Sequence, residues 1–459
     1  MDKNEDKNLD QSPDQNERKA KKPVKLLIFI AVGVLLLLLL PIFSQWSSLG
    51  ATQDGGEPAA TGAPVPKDLL RVLEQYKGED PDYEGWNRAT NGTRPVRYRV
   101  SGGGGFTYTT PTTPNTARIM CAGDLMCEPG MSKSVFLNNK FFFESCFAKV
   151  RKVFDAADFA IANLETCVDP DSPYAIDKHK LSDRFHCNAP TEFLDALRYA
   201  GLDAVVMANN HSCDTGATGL YNTVNNVDDS GLLHTGAFTS PDDRRYLLVD
   251  INGIKVAFFS YSQRYNNHLD ELYFTPEGSE VMLNLYSKEK LEKDLKNARE
   301  EGAEFTIVYI HFWCKDYPDG VTDRQISTAQ EIAEAGADCI IGGHPHMAQP
   351  YDEILLPSGK RVPVVYSLGN FITSDKEISR MNYIYELFLE RGEDGAVRIA
   401  DEKVIPCNVM EFPVKGGFVV YPTPKNWRDG VDNEQFRKAE ETVMLAVGDK
   451  IGIDTNDPA

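Results

Sequence analysis

Asp338-Cys339-Ile340-Ile341-Gly342-Gly343-His344-Pro345-His346 holds the fold in miniature: an apolar run stops abruptly at two glycines and a polar cluster. Just upstream, Thr328 to Ala335 has its apolar residues at helical spacing and is followed by Gly336, a residue suited to the left-handed turn that ends a helix. Working outward, the same unit recurs. Short runs rich in β-branched residues occupy Arg118–Ala122, Phe159–Ala162, Ala204–Ala208, Val256–Ser260, Phe305–Ile310 and Val362–Tyr366. A second helical pattern, Thr191 to Ala200, again ends at a glycine, Gly201. Strand, helix, strand alternation predicts an α/β fold with buried sheets.

Nearly every predicted strand finishes in a residue that can bind a metal. The ends carry Gly123-Asp124, Asn163-Leu164-Glu165, Asn209-Asn210-His211, His311 and the Gly342–His346 cluster. Ligands of open α/β sheets gather beyond the carboxyl ends of the strands, where turns distant in sequence meet. Four of the eight histidines, His211, His311, His344 and His346, fall at these ends. Carboxylate and amide oxygens with imidazoles suit Mn, Fe, Zn or Mg, one or two divalent ions, and a carboxylate can bridge a pair. Taken singly, Asp124 could cap a turn and Asn209 reads as a loop residue tolerant of left-handed backbone. His179, His186, His234 and His268 have no such context and read as surface or packing residues.

The N-terminal segment points to a membrane. Polar residues 1–25 finish in Arg18, Lys19, Lys21, Lys22 and Lys25, directly before an apolar run from Leu26 to Phe43 that includes six consecutive leucines. Such a run is long enough to span a bilayer, and Ser44 to Pro66 contains no Lys or Arg. The expectation is a single-pass cell-membrane protein with a cytoplasmic N-terminus and an extracellular main domain; a cleaved signal peptide and a buried core helix are the competing readings. Residues 44–117 read as an extracytoplasmic linker or stalk, 118–423 as the folded domain and 424–459 as a charged tail with one helical candidate, Glu434–Val447. A net charge of -20 excludes general attraction for nucleic acid, and it repels a polyanion unless a metal or local basic patch intervenes. Nine cysteines without a CxxC pair argue against a zinc–thiolate cluster, leaving disulfides or buried thiols.

The strings GDLM, ANLET, ANNHSCDTG, GGHPH and SLGNF, in this order, resemble the CapA, or poly-γ-glutamate capsule biosynthesis, family of the calcineurin-like metallophosphatase superfamily, over about Ile119 to Ile372. The resemblance implies a four-layer α/β/β/α metallophosphatase-like sandwich, preceded here by one transmembrane helix. It further implies Asp124 as ligand of a first metal, Glu165 as the bridging carboxylate, and Asn210, His311 and His344 on a second metal. His346 returns to the first metal, His211 faces the substrate as proton donor or oxyanion stabiliser, and Asn163, Ser367 and Asn370 support the ligands from behind. Two departures stand out. The superfamily's Asp-x-His reads Asp124-Leu125-Met126, which removes one imidazole, and the family's His-Trp-Gly-x-Glu-Tyr reads His311 to Tyr317 with an altered interior.

The function so implied is synthesis, export or anchoring of an anionic envelope polymer of the poly-γ-glutamate type, with a metal-dependent hydrolase or transfer site. The partners are the membrane, that polymer or its precursor, and other capsule-synthesis membrane proteins. A phosphoesterase acting on an envelope precursor and a non-catalytic, metal-assisted polymer-binding component are the alternatives.

Overall fold

Successive residues of a strand face opposite sides, and here both sides are covered. The computed structural model describes residues 98–100, 114–137, 140–172, 187–266, 275–412, 417–427 and 434–455. The expected cytoplasmic tail, anchor and most of the stalk lie outside these residues. No described helix is long and apolar enough to cross a membrane.

The strands, in chain order, are β1 Tyr98–Val100, β2 Thr116–Leu125, β3 Phe136–Leu137, β4 Lys140–Phe141, β5 Phe159–Asn163, β6 Ala204–Val206, β7 Leu233–Thr235, β8 Leu247–Ile251 and β9 Ile254–Ser262. There follow β10 Phe305–His311, β11 Cys339–Gly343, β12 Tyr351–Leu355, β13 Arg361–Val365, β14 Asn370–Ile372, β15 Met381–Arg391, β16 Val397–Phe412, β17 Gly417–Pro422 and β18 Gly452–Ile453. One sheet runs β17-β16-β15-β2-β5-β6-β7, with β14 on β2 and β18 on β16; the other runs β1-β8-β9-β10-β11-β13-β12. Both have parallel centres, β2-β5-β6-β7 and β9-β10-β11-β13. Antiparallel strands are added at their flanks, such as β15 on β2 and β8 on β9.

Alternation assigns the layers. In β2, Ile119 and Cys121 join the core between the sheets, while Met120 and Ala122 face helices on the outer side. In β10, Ile307 and Tyr309 face inward and Val308 and Ile310 outward. The helices Glu192–Ala200 and Gly216–Ser230 cover the first sheet through Phe193, Leu197, Leu220 and Val224. Lys288–Glu300 and Asp323–Glu334 cover the second through Leu291, Leu295, Ile332 and Ala333. The result is helix, sheet, sheet, helix, with the Phe159 and Phe258 rings stacked at 5.0 Å between β5 and β9.

Several expectations are refined. The helix predicted from Thr328 begins at Asp323, because Thr322 and Gln325 form a reciprocal capping box. Glu434–Val447, set in a tail on composition, buries Phe436, Ala439, Val443 and Val447, and β18 beyond it pairs with β16. All nine cysteines are unpaired and all but Cys314 are buried, the thiol alternative of the sequence reading. Burial pushes the Cys121 and Cys127 thiols up to about 12, so they behave as small apolar groups. Phe141 and Phe143 stack, and Phe143 meets Phe193 edge-on in the core.

Candidate metal centre

The carboxyl ends of the two parallel centres open into one cleft of about 580 Å³. On the first sheet, Asp124 lies at the end of β2 with Asn163 of β5 and Asn370 of β14 as its neighbours in register. On the second, His311 ends β10 opposite Gly343 of β11. Gly123 permits this crowding: its N-terminal strand passes so close to the chain after β13 that a Cβ there would sit 1.9 Å from the Gly369 carbonyl. The Asp124 amide donates to that same carbonyl at 3.0 Å.

Two sets of side chains converge. Glu165, His311 and His344 each bring a ligand atom within 4.8 Å of the others, and so do Asp124, Glu165 and His346. Glu165 belongs to both, so its carboxylate could serve either set. Asn210 joins the first set, its Oδ1 lying 2.6 Å from His311 Nε2. Asp316, His344 and His346 make a third, outer group, in which Asp316 is exposed.

The backbone is bent to achieve this. His344 and His346 have φ of 92° and 58°, left-handed values that cost a non-glycine residue on the order of 1 kcal/mol or more each. They turn both imidazoles inward, with ring centroids 5.6 Å apart and His344 5.0 Å from His311. Asn209, by contrast, has no left-handed backbone; it is fully buried and donates to Asn163 Oδ1 and the Leu164 carbonyl at 3.0 and 2.8 Å.

Support from behind is specific. Asn163 Nδ2 donates to Asp124 Oδ1 at 2.8 Å and lies 3.3 Å from Glu165 Oε2, so one amide orients both carboxylates. Asn370 Oδ1 is 2.9 Å from His346 Nδ1. Ser367 accepts the Gly369 amide at 3.2 Å, which places it in the turn preceding β14. His344 Nε2 meets the Cys314 carbonyl at 3.0 Å, which makes Nε2 the protonated nitrogen and leaves a lone pair on Nδ1.

The donor set fits a divalent cation. Asp124 Oδ2, Glu165 Oε1 and His344 Nδ1 are buried without a hydrogen-bond partner, although buried polar atoms are nearly always satisfied. Burial, then the neighbouring Asp124 charge, pushes the Glu165 carboxyl well above its usual range. Burial likewise lowers His311 to about 3, in spite of the Asp124 charge, and keeps its imidazole neutral as a ligand requires.

His211 differs. Burial alone would lower its pKa, but Asp214, whose Oδ2 lies 2.6 Å from its Nδ1, outweighs burial and raises it to about 9. Asn266 sits 3.4 Å from the same ring and accepts a hydrogen bond from Asn210. Sequence reasoning singled out neither Asp214 nor Asn266. Asp214 stood three residues from His211 within ANNHSCDTG, a usable signal; Asn266 follows β9 with none.

A profile of the family described as bacterial capsule synthesis protein PGA_cap matches residues 118–375. Capsule biosynthesis protein CapA of Bacillus anthracis is 25% identical over 342 residues, covering 71% of this chain and 72% of its own length. PGA biosynthesis protein CapA of Bacillus subtilis (strain 168) is 26% identical over 236 residues, 50% of this chain and 57% of its own. Among solved structures, the calcineurin-like phosphoesterase YfkN from Bacillus subtilis overlaps 72% of this chain and 97% of its own at 16% identity, with a TM-score of 0.39. Haemophilus influenzae NAD nucleotidase overlaps 75% of this chain and 65% of its own at 13% identity, also at 0.39. Overlaps so loose say nothing about chemistry, whereas the profile spans more than half of the sequence and every strand end described above. The chain belongs to the bacterial capsule synthesis protein family PGA_cap.

Proposed function

We propose that this chain is a membrane-anchored, extracytoplasmic hydrolase or transferase that acts on an anionic envelope polymer of the poly-γ-glutamate type during its synthesis, export or anchoring. The observation that carries the proposal is the pair of ligand sets sharing Glu165. The polymer is suggested by the family and by the names of the two CapA relatives. The anchor is suggested by the apolar run Leu26 to Phe43 behind its basic flank.

Asp124, Glu165 and His346 would hold one divalent ion, and Glu165, Asn210, His311 and His344 a second. Bound there, such ions supply Lewis acidity and a water nucleophile at neutral pH. Asn163 keeps the two carboxylates aimed. His211 is held protonated by Asp214 and stands at the cleft wall. For amide hydrolysis, water adds to the carbonyl carbon, the C–N bond breaks, the leaving nitrogen takes its proton from His211, and the proton shed by the water returns to His211.

The test is turnover by the purified, metal-supplied chain on a panel of γ-glutamyl amides and phosphoesters. Cleavage abolished in Glu165→Ala and His344→Ala supports the proposal; cleavage equal in these variants defeats it. A C-terminal reporter active only outside the cytoplasm is expected, and activity inside reverses the topology.

A further inference from the structure

A chain with a net charge of -20 should repel a polyanion, so whatever recognises one must be local. Elsewhere on the described surface most arginines are matched to carboxylates, as Arg361 is with Glu353 and Glu402, and Arg391 with Glu304. Around the mouth of the metal cleft the pattern changes. Arg264, Arg324 and Lys376 are exposed there, and among the described residues none of the three pairs with a carboxylate. Each lies instead over an aromatic ring. The Arg324 and Arg264 guanidinium groups are 4.2 and 5.9 Å from the Trp313 ring centre, and the Lys376 ammonium is 4.5 Å from that of Tyr317.

Both aromatic plates belong to the segment just after His311, and they serve opposite ends of the ligand set. Arg264 is two residues from Asn266, which touches Asn210 and His211. Tyr317 lies 6.0 Å from His346. Trp313 is 45% exposed, unusual for so large an apolar side chain at a polar mouth. Its amide donates to Gln263 Oε1 at 2.9 Å, and Gln263 in turn donates to Thr328 Oγ1 at 2.9 Å, so its backbone is braced from below. Of the carboxylates at the same mouth, Asp375 accepts the Tyr317 hydroxyl, and Asp316 is exposed with an oxygen 3.7 Å from His344 Nε2.

We infer that Trp313 with Arg264 and Arg324, and Tyr317 with Lys376, form two cationic subsites that hold successive carboxylates of a linear polycarboxylate laid across the metal cleft. Stacking on a ring restrains each long cation before the ligand arrives, which reduces the ordering cost of binding. Two subsites at opposite ends of the ligand set select a chain over a single small anion. The inference rests on the proposed polymer reading but does not require turnover.

The test is equilibrium binding of linear poly-γ-glutamate to the full chain across a salt series, with its methyl-esterified form as the uncharged control. The double variant Arg264→Gln/Arg324→Gln and the single variant Lys376→Gln are compared with wild type, alongside metal content and melting temperature. The double variant is expected to bind roughly tenfold more weakly, with a shallower salt dependence, since rim charges act chiefly through screened attraction. Its metal content and melting temperature should match wild type, and Trp313→Ala should weaken binding with all charges retained. Equal binding by wild type and the double variant, or by esterified and free polymer, overturns the inference. So does tighter binding of glutamate monomer than of polymer. If the wild-type chain holds no metal yet the rim variants still lose the polymer, the metal-dependent reading fails and the subsites stand.

Discussion

Neutralising Glu165 should stabilise the protein stripped of metal and abolish its response to metal. Asp124 and Glu165 bring oxygens within 4.8 Å of each other in a buried site. At an effective dielectric near 20, two unit charges at that separation repel by about 3 kcal/mol. The carboxyl relieves this by taking up a proton, and at pH 7 the cost of doing so is capped at about 3 kcal/mol for a group whose ordinary value is 4.5. Because its folded-state pKa is raised, Glu165 favours the folded state least at high pH. The penalty is absent below the ordinary value and grows as pH rises from there. Glu165→Gln keeps a side-chain oxygen for Asn163 and removes the titration. In chelator, urea unfolding should show the variant more stable by about 1–3 kcal/mol at pH 7 and nearly equal to wild type at pH 5. In excess divalent metal the variant's advantage shrinks or reverses, since wild type gains about 2.7 kcal/mol at a hundred times Kd and the variant gains little. A variant that is less stable in chelator at pH 7 and still responds to metal as wild type does would refute the reasoning.

Three further outcomes follow from particular contacts. Asp214→Asn should lower the His211 pKa from about 9 toward or below its ordinary range, as read by NMR titration of the imidazole; an unchanged value would remove Asp214 from the proton-donor arrangement. Gly343→Ala places a methyl 3.1 Å from Asp124 Oδ1 and 3.4 Å from His311 Nδ1, and metal affinity measured by titration calorimetry should fall roughly 10–100-fold with the fold intact. Phe258→Ala removes the ring that stacks on Phe159 between the sheets, at a cost of about 3–5 kcal/mol in urea unfolding, without altering the ligand residues.

The parallel centres and their ligand-bearing ends were legible because buried strands read as short apolar runs, and a polar residue after such a run has few purposes other than a site. The flanking strands were not. β15 interleaves Glu386 and Glu390 with its apolar residues, and β16 contains Pro406 and a charged stretch, so neither resembles a core strand. Glu386 is buried nonetheless, because Arg118 pairs with it across from β2. In the site, Asp124, Glu165, Asn210, His311, His344 and His346 could be named from strand ends, but their division into two sets sharing Glu165 is a fact of distance alone. The left-handed backbone of His344 and His346 was not legible, because a residue before proline ordinarily favours extended backbone. Asn266, Arg264 and Lys376 sit in polar loops whose composition resembles any other loop, and only the meeting of the two sheets brings them to one cleft.

The central claim is that the strand ends bind divalent metal through Glu165, and elemental analysis of the purified full chain beside Glu165→Ala tests it most directly. One to two divalent ions per wild-type chain are expected, with a large loss in the variant and His344→Ala behaving alike. Wild-type protein that takes up no metal when supplied with Mn, Fe, Zn or Mg, or a Glu165→Ala variant that retains it in full, would contradict the account.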